Sequence, residues 1–211
     1  MTRTIHRRLP SLLGWAMSLA LAGCFGSSRP AQFYTLEPVQ VRDSPAPTAT
    51  DATLAVGPVE LPDYVNRPQI VTRTGANQLV IAEFDRWGSS LDKQIAGSLV
   101  ATLQDRLAPR QIGVVPWRSA LSSGAPYRVA VSVSRFDGIS GKAVVLHARW
   151  ELISLGGAKE ESLGVKEASV TENVEGPGYD ALVAAMQRAL VRFGQQMGDS
   201  IAETKQLAKV P

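Results

Sequence analysis

Cysteine is almost missing from this chain: there is one, Cys24, in 211 residues. A single cysteine forms no disulfide within its own chain, so no covalent framework holds the fold. Histidine is nearly as scarce, with only His6 and His147. These shortages remove serine–histidine and cysteine–histidine nucleophile systems, apart from one that would use His147. Familiar catalytic signatures are missing too: there is no G-x-S-x-G elbow, no phosphate-binding P-loop, no H-E-x-x-H and no C-x-x-C. The apolar run at 12–22, LLGWAMSLALA, is well short of the about 20 residues that a membrane-spanning helix needs.

What the N-terminus does carry is the pattern of a bacterial lipoprotein signal. Arg3, Arg7 and Arg8 make a positive start, the run at 12–22 makes the apolar middle, and Leu21-Ala22-Gly23 precedes Cys24. Small residues at 22 and 23 fit a signal peptidase that would leave Cys24 as the new N-terminus. Cys24 is then a lipid attachment point, with an S-diacylglycerol on its thiol and an N-acyl group on its freed amine. More than one acyl chain is needed for a stable anchor, at about 0.8 kcal/mol per buried methylene.

Removing 1–23 changes the charge argument. The whole chain carries 22 Lys and Arg against 19 Asp and Glu, a net +3. The segment removed holds three Arg and no acid, which leaves 19 against 19 from Cys24 onward. No basic excess remains to bind nucleic acid, so that partner class is excluded.

The organisation reads as a signal at 1–23, then a lipidated N-terminus at 24–53, then one folded domain at 54–205. Within 24–53, QFYTLE at 32–37 reads as a first strand, and RDSPAPTATD at 42–51 as a loop with almost nothing to bury. Strands are expected at 54–59, 69–73 and 78–82, the last two as a hairpin around 74–77. Leu91, Ile95, Leu99, Leu103 and Leu107 recur every fourth residue and predict a helix, entered by a Ser89/Asp92 capping box and ended by Pro109. A strand at 112–117 follows, giving the strand–helix–strand order of a βαβ unit. From 127 to 172, alternation and short turns predict three strands of an antiparallel meander, with Asp137 in the first turn. Leu182, Met186, Leu190, Phe193, Met197 and Ile201 mark a final helix over 179–204. Gly194 and Gly198 are costly inside a helix, which points to close approach of another element. The class is α/β: a mixed sheet with an antiparallel meander in its C-terminal half, packed by two main amphipathic helices.

Candidate sites are few. His147 on an alternating strand reads as structural, and Glu83 with Asp85 as solvated acids ahead of a loop. Trp117 and Trp150 read as core or rim. Tyr64, Arg67 and Trp87 stand in Pro- or Gly-bounded segments, where chains run on the surface and carry function. Aromatic and Arg side chains are also enriched at interface hot spots, so this set is the candidate partner contact. Plugging the edge of the core is an equal account of Tyr64 and Trp87. No metal-ligating cluster and no cofactor signature is present, beyond the covalent lipid on Cys24.

The runs GPVELPDYVNRPQIVTR at 57–73 and AEFDRW at 82–87, with FYTL at 33–36 behind the lipobox, resemble the ABC-type transport auxiliary lipoproteins, in particular the PqiC/YmbA group. The resemblance covers about 24–200. It implies a non-enzymatic periplasmic subunit of an ABC transporter or MCE-type complex that moves lipids between the two membranes. Such a subunit would be anchored to the outer membrane, and several copies could assemble. Phe25 stands where lipoproteins retained at the inner membrane often carry Asp, which favours the outer membrane. Of the likeness, only the acylation role of Cys24 carries over to a residue. Two other readings stay open: a hydrolase of envelope polymers, and an outer-membrane lipoprotein that binds peptidoglycan or assists assembly.

Overall fold

Alternating and four-residue apolar spacings settle here into two sheets and two helices. The computed structural model describes residues 29–36 and 53–204. Cys24 and the run at 42–51 lie outside the described residues. Contacts within the chain separate Met1–Pro30 from Ala31–Pro211, and all that follows concerns the second unit. In chain order the elements are β1 (Gln32–Tyr34), β2 (Thr53–Glu60), β3 (Gln69–Arg73), β4 (Leu79–Trp87), α1 (Leu91–Leu107), β5 (Gly113–Pro116), β6 (Tyr127–Ile139), β7 (Ala143–Ser154), β8 (Glu161–Asn173) and α2 (Gly178–Ala202). Among the described residues no helix is long and apolar enough to cross a membrane.

The larger sheet has the order β5-β2-β6-β7-β8. β2 runs parallel to both β5 and β6, while β6, β7 and β8 form the expected antiparallel meander. One face of β7, made of Val144, Leu146, Ala148, Trp150 and Leu152, is buried. α2 covers β7 and β8, and α1 covers β2 and β5. The other face carries His147 and Arg149 and is open.

The structure refines four expectations. A second sheet, ordered β1-β4-β3, stands apart from the first. β4 runs on to Trp87, beyond the expected end at 82, because residues 85–87 gain β1 as a parallel partner. β4, α1 and β5 therefore do not form a βαβ unit; the parallel neighbours are β2 and β5, and the β3–β4 hairpin and α1 lie in their connection. The Ser89/Asp92 capping box does not form. The N-cap is Ser90, without a side-chain cap bond, and the Gln94 amide donates instead to the Ser89 carbonyl at 2.9 Å. Starting one residue later puts Lys93 at the third helical position, while Asp92 stays in the first turn, where its charge complements the helix dipole.

Every member of the α2 stripe is buried. Gly194 and Gly198 bring α1 and α2 together: a Cβ at 194 would lie 2.9 Å from Thr102 Cγ2 and 3.1 Å from Thr102 Cβ. At 198 it would lie 2.8 Å from Arg106 Cγ. Helix propensity alone favours Ala over Gly by about 1 kcal/mol. Here crowding against the inner atoms of Thr102 outweighs it, since overpacking costs about 1–3 kcal/mol. Gly194→Ala is therefore expected to lower the urea midpoint, and adding Thr102→Ala to recover part of the loss. A higher midpoint for the single variant would mean that the helices are free to part.

Candidate partner-docking surface

Two buried carboxylates are engaged in holding the fold. Asp137, expected in a turn, lies inside β6 with its side chain fully buried. Its Oδ2 accepts from the Tyr64 hydroxyl at 2.7 Å and from Arg73 Nε at 2.8 Å. Its Oδ1 accepts from Arg135 Nε at 3.0 Å. The Arg73 guanidinium also lies over the Tyr64 ring, 5.5 Å from its centroid. One carboxylate thus ties the 62–68 turn and β3 to β6. A buried charge is tolerated when it is paired and its lone pairs are filled. Asp85, expected to be solvated, is also buried, and it accepts from the Tyr34 hydroxyl at 2.9 Å. Glu83 is exposed.

Burial, and after it the hydrogen bond and charge of Asp137, push the Tyr64 phenol above its ordinary 10.0. A raised value means that the fold favours the protonated form. The corresponding stability is fully present below about pH 10 and is lost as pH rises through the folded-state value. Tyr64→Phe is expected to be less stable at neutral pH and to lose stability less steeply above about pH 10. Urea midpoints across that range decide it, and an unchanged slope would remove Tyr64 from the alkaline transition. Some slope remains in the variant, because burial and the charge of Asp85 also raise Tyr179.

The three sequence candidates separate. Tyr64 is half-buried and faces Asp137. Trp87 is buried, because it closes β4 rather than opening a turn; its backbone N–H donates to the Pro68 carbonyl at 2.7 Å. Arg67 is partly exposed, and the structure brings it beside Trp87. The two line a mostly apolar cleft of about 360 Å³ with Asn66, Pro68, Ser89, Ser90 and Leu91. Arg67 Nε is buried, with no hydrogen-bond partner among the described residues. Sequence reasoning missed Ser89 and Ser90 as cleft residues because their spacing reads as a helix cap. A cation beside an indole in an apolar cleft is the composition of an interface hot spot, not of a reaction centre.

His147 is exposed on the open face of the large sheet, where it lines a shallow concavity of about 520 Å³ with Ser132, Ser134, Arg149, Glu167 and Ser169. Its strand neighbours in register are Arg135 and Ser169. Among the described residues no group of three His, Cys, Asp or Glu is placed to hold a metal ion.

A family model described as ABC-type transport auxiliary lipoprotein component matches residues 34–198. The Intermembrane transport lipoprotein PqiC of Escherichia coli (strain K12) is 27% identical over 192 residues, which is 90% of this chain and 95% of that protein. Among solved structures, an uncharacterized protein is similar with a TM-score of 0.65 and 25% identity, over 82% of this chain and 99% of that one. A protein from Xanthomonas campestris shares the fold with a TM-score of 0.65 at 18% identity, over 83% of this chain and 97% of that one.

Proposed function

The chain belongs to the ABC-type transport auxiliary lipoprotein component family, and on that premise we propose that it is the lipid-anchored, non-enzymatic auxiliary subunit of a system that moves lipids between the inner and outer membranes. Cys24 carries the acyl chains, and the domain docks an ABC- or MCE-type partner from the periplasmic face of the outer membrane. The observation that carries this reading is the near full-length likeness to an intermembrane transport lipoprotein. The arrangement of polar groups agrees with it. Asp137 and Asp85 sit in structural pairs, and His147 lies exposed on the open face of the large sheet. The cleft at Arg67 is the contact we assign to the partner, with Trp87 as its wall and Tyr64 as the brace of the 62–68 turn.

A charge reversal tests the assignment. Arg67→Glu is expected to cut co-purification of an MCE-type subunit from crosslinked envelopes by about tenfold or more, as losing a hot spot of about 2 kcal/mol does. Arg67 is partly exposed and joins none of the ion pairs among the described residues, so the melting temperature stays near that of the wild type. Unchanged recovery would remove the cleft from the docking surface. The hydrolase reading has a separate test in His147→Ala, which should leave the envelope phenotype intact. Loss of function in a folded, abundant variant would revive catalysis.

A further inference from the structure

Five large apolar side chains stand exposed among the described residues: Phe33, Leu79, Val80, Ile81 and Val165. Four of them belong to the small sheet, and three are consecutive on β4, at the end next to the β3–β4 turn. Scattered exposed apolar residues need no explanation, whereas a contiguous set marks a surface that meets something. The set lies in an uncharged run, TGANQLVIA at 74–82. The turn is also preformed. Thr74 N–H donates to the Gln78 carbonyl at 3.2 Å, and Arg73 Nη1 donates to the Ala76 carbonyl at 2.8 Å. Arg73, opposite Leu79 at the turn end of β3, is also paired with Asp137, so the one cation under the tip is already neutralised.

The direction of β1 shows what lies at that end. β1 is parallel to β4, with Gln32 opposite Asp85 and Tyr34 opposite Trp87. The chain therefore enters the sheet from the side of the exposed tip. Ile81 precedes Asp85 by four residues and Leu79 by six, so they lie about 13 and 20 Å along the strand from the entry point, at about 3.3 Å per residue. Cys24 precedes Gln32 by eight residues, a reach of at most about 29 Å. Leu79, Val80 and Ile81 therefore lie within the distance that an acylated Cys24 allows the domain to stand from the bilayer.

We infer that the tip of the β3–β4 hairpin is a second membrane contact, resting Leu79, Val80 and Ile81 in the lipid interface and fixing how the anchored domain stands on the membrane. This rests on the lipid-anchor reading above. An apolar tip whose only nearby cation, Arg73, is already paired with Asp137 enters an interface without burying a lone ion, and the hydrogen-bonded turn loses little freedom on entry. With the hairpin seated, the domain has two points of attachment in place of a single tether. The occupant is lipid; a second copy of the chain, or another protein, is the competing outcome.

The test uses the acylated full-length protein in vesicles of phosphatidylethanolamine and phosphatidylglycerol with brominated acyl chains. Ala76→Cys puts an environment-sensitive fluorophore on the turn, where it is the only free thiol because Cys24 is acylated. Lys159→Cys is the control, in the turn that joins β7 to β8, at the far end of β7 from the Asp137 lock. Quenching at 76 and not at 159 is expected. Replacing Leu79, Val80 and Ile81 by Ser should relieve the quenching while the protein still floats with the vesicles. Equal emission at 76 and 159 from floating protein overturns the second contact, and so does crosslinking from 76 to another copy in place of quenching. Failure of the wild type to float overturns the anchor reading itself, and this proposal with it.

Discussion

Replacing Asp137 by Ala is expected to lower folding stability by about 3 kcal/mol, the low end of the range for breaking a buried ion pair. The low end applies because Arg73 and Arg135 keep part of their surface in water, at 18% and 36% exposure, while the carboxylate is at 0%. The change removes three hydrogen bonds at once, from Tyr64, Arg73 and Arg135. It also unties the two sheets, since β3 and the 62–68 turn reach β6 through this group. In a domain of this size the loss corresponds to a fall of about 6–12 °C in melting temperature. Equilibrium urea unfolding measures it. A cost below about 1 kcal/mol would show that apolar packing alone joins the sheets, since a single surface pair contributes no more than that.

Cys24→Ala is expected to abolish acylation and with it the lipid anchoring of the protein. Without the thiol there is no thioether to a diacylglycerol, and no processing to a new N-terminus. Two or more acyl chains separate stable anchoring from the marginal, reversible binding that one chain provides. The hairpin tip alone, three side chains wide, does not replace them. The variant should appear as unprocessed or soluble protein in fractionated envelopes, with its domain folded, because Cys24 lies outside the fold described from Ala31 onward. Fractionation with outer membranes like the wild type would contradict the role assigned to this residue.

The parts of the fold visible in the sequence are those set by local periodicity. β7 shows its faces in five alternating apolar residues, and α2 shows its stripe from Leu182 to Ile201, all of it buried. The cost of Gly194 and Gly198 correctly pointed to a close neighbour, which is Thr102 and Arg106 of α1. What periodicity does not carry is which strand pairs with which. Residues 83–87 read as a lead into a helix because Glu83, Asp85 and Arg86 interrupt the apolar pattern; pairing with β1, distant in sequence, makes them a strand. Asp137 followed by Gly reads as a turn, and only the arrival of Arg73 and Tyr64 from 64 and 73 residues away makes it a core residue. Trp87 is misplaced for the same reason. Of the partner set, Arg67 and Trp87 line a surface cleft, while Tyr64 turns to Asp137 instead.

The most direct test of the account is a quantitative mass-spectrometric inventory of what the tagged, acylated protein captures from crosslinked envelopes. The account predicts an MCE-domain protein or a permease subunit of an ABC-type system, recovered in fixed proportion to the lipoprotein and diminished by Arg67→Glu. Recovery of peptidoglycan or assembly factors with no transporter component, unchanged by Arg67→Glu, would contradict it.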